Sequence, residues 1–99
     1  MIRHVITWKL AETDPTERAE VAEEFARRLR ELPAAIPEIL LFEVGVNEAH
    51  DDINWHVTLV SEFASLETLA AYGAHPVHQE FVAWVKPRVE QRAGVDFTV

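Results

Sequence analysis

The run Tyr72-Gly73-Ala74-His75-Pro76-Val77-His78 holds a phenol and two imidazoles within seven residues. An imidazole titrates near neutrality and can take or give a proton. A phenol stays protonated there and can donate a hydrogen bond. A base beside such a donor suits removal of a proton next to a carbonyl, with the charge developing on oxygen held by the donor. The pair is useful only if both side chains project into one volume, so the surrounding elements decide what it can do.

Proline has a fixed φ and no N–H, and both suit the first turn of a helix. A helix is therefore predicted from Pro76 to about Val85, with His75 at the cap position. His78, Phe81, Val82 and Val85 then share one apolar stripe facing the core. Two more histidines lie in strand-like segments. His4 interrupts the row Ile2, Ile6, Trp8 and Leu10, and His56 shares a face with Thr58 and Val60, opposite Trp55, Val57 and Leu59. Both are expected to point toward the helices, so His78, Tyr72, His4 and His56 form the candidate site. One reading of this cluster is acid/base chemistry; the other is a buried polar network that fixes strand register. A metal site would draw on His4, His56, His75 and His78, with His75 and His78 at i, i+3. There is no HExxH string and no nearby carboxylate pair, so neither metal nor cofactor is expected. His75 is expected to serve as a cap, and His50 to be a solvated loop residue.

Strand-type alternation runs from Ile2 to Leu10. Asp14-Pro15-Thr16-Glu17 opens a helix over about 15–32, carried by Val21, Ala22, Phe25, Ala26, Leu29 and Leu32, with Pro33 as a first stop, room for one more short turn, and Pro37 as a second stop. Strands are predicted over 38–46 and 54–63, joined as a hairpin by a polar loop. Ser65 caps a short helix ending near Gly73, Lys86-Pro87 breaks the next, and 94–99 is a last strand. The order β-α-β-β-α-β is the ferredoxin-like α+β arrangement, a four-stranded antiparallel sheet with its helices on one face. The strands carry bulky apolar residues on both faces. The helix-free face is therefore expected to pack against a second copy, giving a homodimer with a barrel-like centre.

The chain of 99 residues fits one domain, 1–99, of ordinary globular composition, 48% hydrophobic and 26% charged. The net charge of −8 argues against nucleic-acid binding. No apolar run reaches membrane-spanning length, and a cytoplasmic location is expected. Without cysteine there is no disulfide, thiolate ligand or cysteine nucleophile.

The opening Met1-Ile2-Arg3-His4-Val5, the Val60-Ser61-Glu62-Phe63 segment, Tyr72 through Phe81 and Val95-Asp96-Phe97 together resemble the stress-responsive A/B barrel (Dabb) proteins, the dimeric α-β barrel family. The Tyr-x-x-His-Pro-x-His string with the His4 strand is the most specific part. The resemblance implies the same fold and dimer. A plant polyketide cyclase of this family performs a cofactor-free intramolecular aldol condensation. Its acid/base tyrosine and histidine match Tyr72 and His78, and two strand histidines look like His4 and His56. The implied activity is that of a cofactor-free lyase or cyclase. His78 would remove a proton α to a ketone, Tyr72 would hold the enolate oxygen, and His4 or His56 would orient the pair. The alternatives are a non-catalytic stress-associated dimer that binds a small apolar or aromatic ligand, and a cofactor-free monooxygenase of the wider dimeric α+β barrel group. A solvent-connected cavity at His78 would separate the first reading from the second.

Overall fold

The computed structural model describes all 99 residues. The elements are β1 (Ile2–Leu10), α1 (Pro15–Ala35), β2 (Leu41–Val46), β3 (Val57–Phe63), α2 (Leu66–Ala74), α3 (Pro76–Val85) and β4 (Val89–Thr98), with one 3₁₀ turn, Lys86–Arg88, before β4. The strands pair antiparallel in the order β2-β3-β1-β4. This is the expected ferredoxin-like sheet, with the second helical region divided into two helices.

Register assigns every strand side chain to a face. Ile6 pairs with Leu59 and Gly94, and Trp8 with Val57 and Arg92. The inner face of β1 is thus His4, Ile6, Trp8 and Leu10, all buried, and the inner residues of β3 are Val57, Leu59, Ser61 and Phe63. Helix α1 covers this face with Ala22, Phe25, Ala26, Leu29 and Leu32. Asp14 starts it by accepting from the Glu17 N–H at 3.0 Å, and Pro15 occupies the first turn.

Four boundaries differ from the sequence expectation. β2 starts at Leu41 rather than Glu38. Helix α1 continues through Pro33 to Ala35, because the ladder resumes beyond the missing donor. The Ile36 N–H donates to the Leu32 carbonyl at 3.1 Å, and Ile36 is fully buried. β3 starts at Val57, which leaves Trp55 and His56 in the connection before it. β4 starts at Val89 rather than Gly94. Its polar first half, Val89-Glu90-Gln91-Arg92-Ala93, has no apolar alternation of its own, yet it pairs with β1 from Leu10 onward. Cross-strand pairing decides that segment rather than propensity.

Phe25 is the keystone under the site. Its ring is fully buried and lies 4.8 Å from Trp8, 5.5 Å from Phe81 and 5.9 Å from Trp84, tying α1, α3 and β1 together. Trp84 lies against two guanidinium groups, those of Arg28 and Arg88, at 4.5 and 4.3 Å from its ring. Truncating Phe25 removes the floor on which α3 rests. Phe25→Ala is expected to cost about 3–5 kcal/mol, measured by urea denaturation. A cost below about 1 kcal/mol would show that α3 is positioned by other contacts.

Candidate active site

A single residue separates α2 from α3. His75 is extended, with φ −61° and ψ 136°, and serves as C-cap of the first helix and N-cap of the second. Pro76 has no N–H, so the carbonyls of the last α2 turn need other donors. The His75 N–H donates to the Tyr72 carbonyl at 3.2 Å. The Val77 N–H, which would serve Gly73 in a continuous helix, donates instead to His75 Nδ1 at 3.1 Å. The freed Gly73 carbonyl accepts from His78 Nδ1 at 3.0 Å and from Gln79 Nε2 at 2.7 Å. His75 is therefore a capping residue.

This bond fixes the tautomer of His78. With the hydrogen on Nδ1, the lone pair of the neutral ring is on Nε2. Tyr72, one turn earlier, is 3% exposed and its ring lies 4.4 Å from that of His78. His4 comes from the sheet below, its ring 6.2 Å from Tyr72. His4 Nδ1 is bonded to the Asp96 carboxylate, its partner across the β1–β4 ladder. Every sealed side-chain nitrogen or oxygen has a hydrogen-bond partner. The Tyr72 hydroxyl and the Nε2 atoms of His4 and His78 make no bond within the protein, so each must border open space. That space is a cavity of about 490 Å³ between α3 and the sheet. Ile6, Trp8, Leu59, Phe81, Val82 and Val85 supply its apolar wall, and Lys86, Glu90 and Arg92 stand among its lining residues.

Burial moves the two central groups in opposite directions. It raises the Tyr72 hydroxyl above its ordinary range, only partly countered by Arg92. It lowers the His78 imidazole, opposed by the Gly73 hydrogen bond and helped by the positive charge of Arg92. At neutral pH the site presents an uncharged base beside a protonated phenol.

His56 is not part of this group. It lies just before β3, where its Nδ1 accepts from the Leu10 N–H at 3.0 Å. It lines separate grooves with Thr7, Asn47, Trp55 and Asp51. His56 was expected to point toward the helices, but the buried row of this strand is Val57, Leu59, Ser61 and Phe63, and His56 is out of step with it. His50 stands exposed in the connecting loop at φ 52°. His56 is thus removed from the metal alternative, and no three His, Asp or Glu side chains are close enough to share an ion. Three residues absent from the sequence-based site belong near it: Asp96 behind His4, and Arg92 and Lys86 on the cavity wall. Asp96 had a legible signal, since alternation of Val95, Phe97 and Val99 leaves an acid on the inner face of β4.

The depressed His78 has a consequence for stability. Its folded pKa lies below the unfolded value of about 6.5, so the unfolded chain binds the proton more readily. Stability is complete above that value and falls as the pH drops through it. His78→Ala is expected to flatten the loss of stability between about pH 7 and pH 5 relative to wild type, in urea melts at several pH values. Parallel curves for the two proteins would mean that His78 titrates normally in the fold.

The stress responsive A/B barrel domain family, Dabb, matches residues 2–99. A dimeric protein of unknown function with a ferredoxin-like fold from Bacteroides fragilis is similar, with 30% identity over 99% of this chain and 95% of that one and a TM-score of 0.88. A dimeric ferredoxin-like protein of unknown function from Thermobifida fusca shares 26% over 99% and 90% of the two chains, TM-score 0.81. A Dabb protein from Mesorhizobium loti shares 26% over 99% and 95%, TM-score 0.76. An antibiotic biosynthesis monooxygenase shares the fold at 15% identity, TM-score 0.77, covering 100% and 98%. No curated protein matches the chain. With its whole length accounted for by one family and its sheet order and helical face in place, the chain belongs to the stress responsive A/B barrel (Dabb) family.

Proposed function

We propose that the chain is a cofactor-free acid/base catalyst of carbon–carbon bond formation next to a ketone, of the aldol cyclase type. The observation that carries this reading is the Tyr72–His78 pair, with rings 4.4 Å apart and free polar atoms on one largely apolar cavity. His78 Nε2 takes the proton from the carbon α to the ketone, and the electron pair moves into the enolate. The Tyr72 hydroxyl donates to the enolate oxygen. The α carbon then attacks a second carbonyl of the same linear substrate, and its π electrons become an alkoxide. That alkoxide takes a proton from the imidazolium of His78, which restores the base. His4, held by Asp96, orients Tyr72 and lines the approach. Positioned groups of this kind contribute roughly 10²–10⁴-fold each, which suits an activated β-keto chain.

The test is deuterium exchange at the α carbon of an aromatic β-diketone. Tyr72→Phe and His78→Ala should each lower the catalysed rate at least roughly tenfold. His78→Ala should destabilise by less than about 1 kcal/mol, because Gln79 still serves the Gly73 carbonyl and the ring borders open space. Wild-type exchange no faster than buffer, together with a loss of roughly 2–4 kcal/mol in His78→Ala, would mean that the corner is architecture.

The functional unit in this proposal is a homodimer built on the helix-free face. That face carries Leu41, Val5, Val60, Val95 and Phe97, the last two 63% and 40% exposed. Two similar structures are described as dimeric. Light scattering should give twice the 11.3 kDa chain mass for wild type, and Val95→Glu should shift it to one chain mass. A wild-type monomer, or a dimer unaffected by the charge, would place the contact elsewhere or remove it.

A further inference from the structure

The basic side chains divide sharply by whether the protein gives them an acceptor. Arg3, Lys9, Arg27 and Arg28 face carboxylates. Arg30 and Arg88 donate to backbone carbonyls. Only Arg18, Lys86 and Arg92 are left without one, and two of these three line the cavity beside His78. The single carboxylate among the lining residues, Glu90, is paired with Lys9 at 3.5 Å. A chain with 17 acidic and 9 basic residues therefore holds one locally cationic cavity.

The position of Arg92 gives this charge a direction. Arg92, Gly94 and Asp96 are alternate residues on the inner face of β4. Gly94 has no side chain, and a Cβ there would lie 2.5 Å from Ile6 Cδ1 and 3.5 Å from Arg92 Nη1. The guanidinium thus lies back over the glycine at the mouth of the cavity, where Arg92 stays exposed to solvent and open to a ligand. Its charge is felt by both Tyr72 and His78. A planar fork of N–H donors without a protein acceptor matches a carboxylate, which it can bind through two parallel hydrogen bonds.

We infer that the cavity takes a carboxylic acid: an apolar or aromatic keto acid whose carboxylate is held by Arg92, with Lys86 adding charge, and whose ketone reaches Tyr72 and His78. This rests on the acid/base reading for the ketone end, while the carboxylate end rests on Arg92 alone. It names a substrate class, since a neutral ketone of equal size leaves the guanidinium without its acceptor.

The test uses benzoylformate and its primary amide. They share ring, ketone and size, and neither has a hydrogen next to the ketone, so only binding is read. Calorimetric titration compares wild type, Arg92→Gln and Arg18→Gln, the last making the same charge change at a remote unpaired arginine. Wild type is expected to bind the acid at least about tenfold more tightly than the amide. Arg92→Gln should abolish that preference, and Arg18→Gln should keep it. Equal affinities in wild type, no saturable binding of the acid, a preference surviving Arg92→Gln, or its loss in both variants would each overturn the proposal. NMR shifts of the His78 ring in the same titrations report on the acid/base site separately. Shifts without acid preference leave that site standing and remove the carboxylate clamp. Acid preference without shifts keeps the clamp and removes the ketone from the His78 site.

Discussion

The carbonyl of Gly73 is the constraint on which the site depends. Helix interiors satisfy their own backbone, and a break releases donors and acceptors that must find partners locally. Here Pro76 forces the break, and one extended residue, His75, spans it. Its side chain takes the Val77 N–H, which leaves the Gly73 carbonyl for His78 Nδ1. A backbone requirement thereby sets the tautomer, ring orientation and free lone pair of a side chain that borders the cavity. Tyr72 is held by the same turn, since its carbonyl receives the His75 N–H. The His78 imidazole and the Tyr72 phenol are therefore positioned by helix termination, with the sheet supplying the floor.

Burial then gives the two groups complementary states. Removing a charge from water is unfavourable, so an imidazole resists gaining a proton and a phenol resists losing one. Both shifts have that cause here, and they drive the pair apart. Groups pushed apart in this way are those that divide acid and base duties at neutral pH. Asp96 works from outside the cavity, holding the other face of His4. Arg92 adds a positive field without an internal counter-ion. The site is thus locally cationic within a chain of net charge −8.

The fold was legible wherever local and long-range signals agreed. Asp14-Pro15 started α1, His75-Pro76 started α3, and alternation placed His4 inside β1. The misses have physical causes. Pro33 costs one hydrogen bond, and burial of Ile36 just beyond it keeps the turn closed, so the helix takes the further short turn that the proline signal alone left undecided. The first half of β4 is polar, and only the ladder with β1 makes it a strand. Within the site, Tyr72, His78 and His4 could be grouped from spacing because helical and strand periods fix their directions. His56 could not be kept with them, since its backbone lies outside the strand and its ring serves the Leu10 N–H. Arg92 carries no signal in the sequence, because being left without an acceptor is a property of the folded neighbourhood.

The central claim is that helix termination presents His78 as a neutral base with its lone pair toward the cavity. Nitrogen-15 NMR of the histidine rings at neutral pH tests it most directly, with His78 assigned by His78→Ala. The expected result is a neutral ring with the hydrogen on Nδ1 and an unprotonated Nε2 that shifts when an aromatic ketone is added. A ring carrying its hydrogen on Nε2, or one doubly protonated at neutral pH, would contradict it.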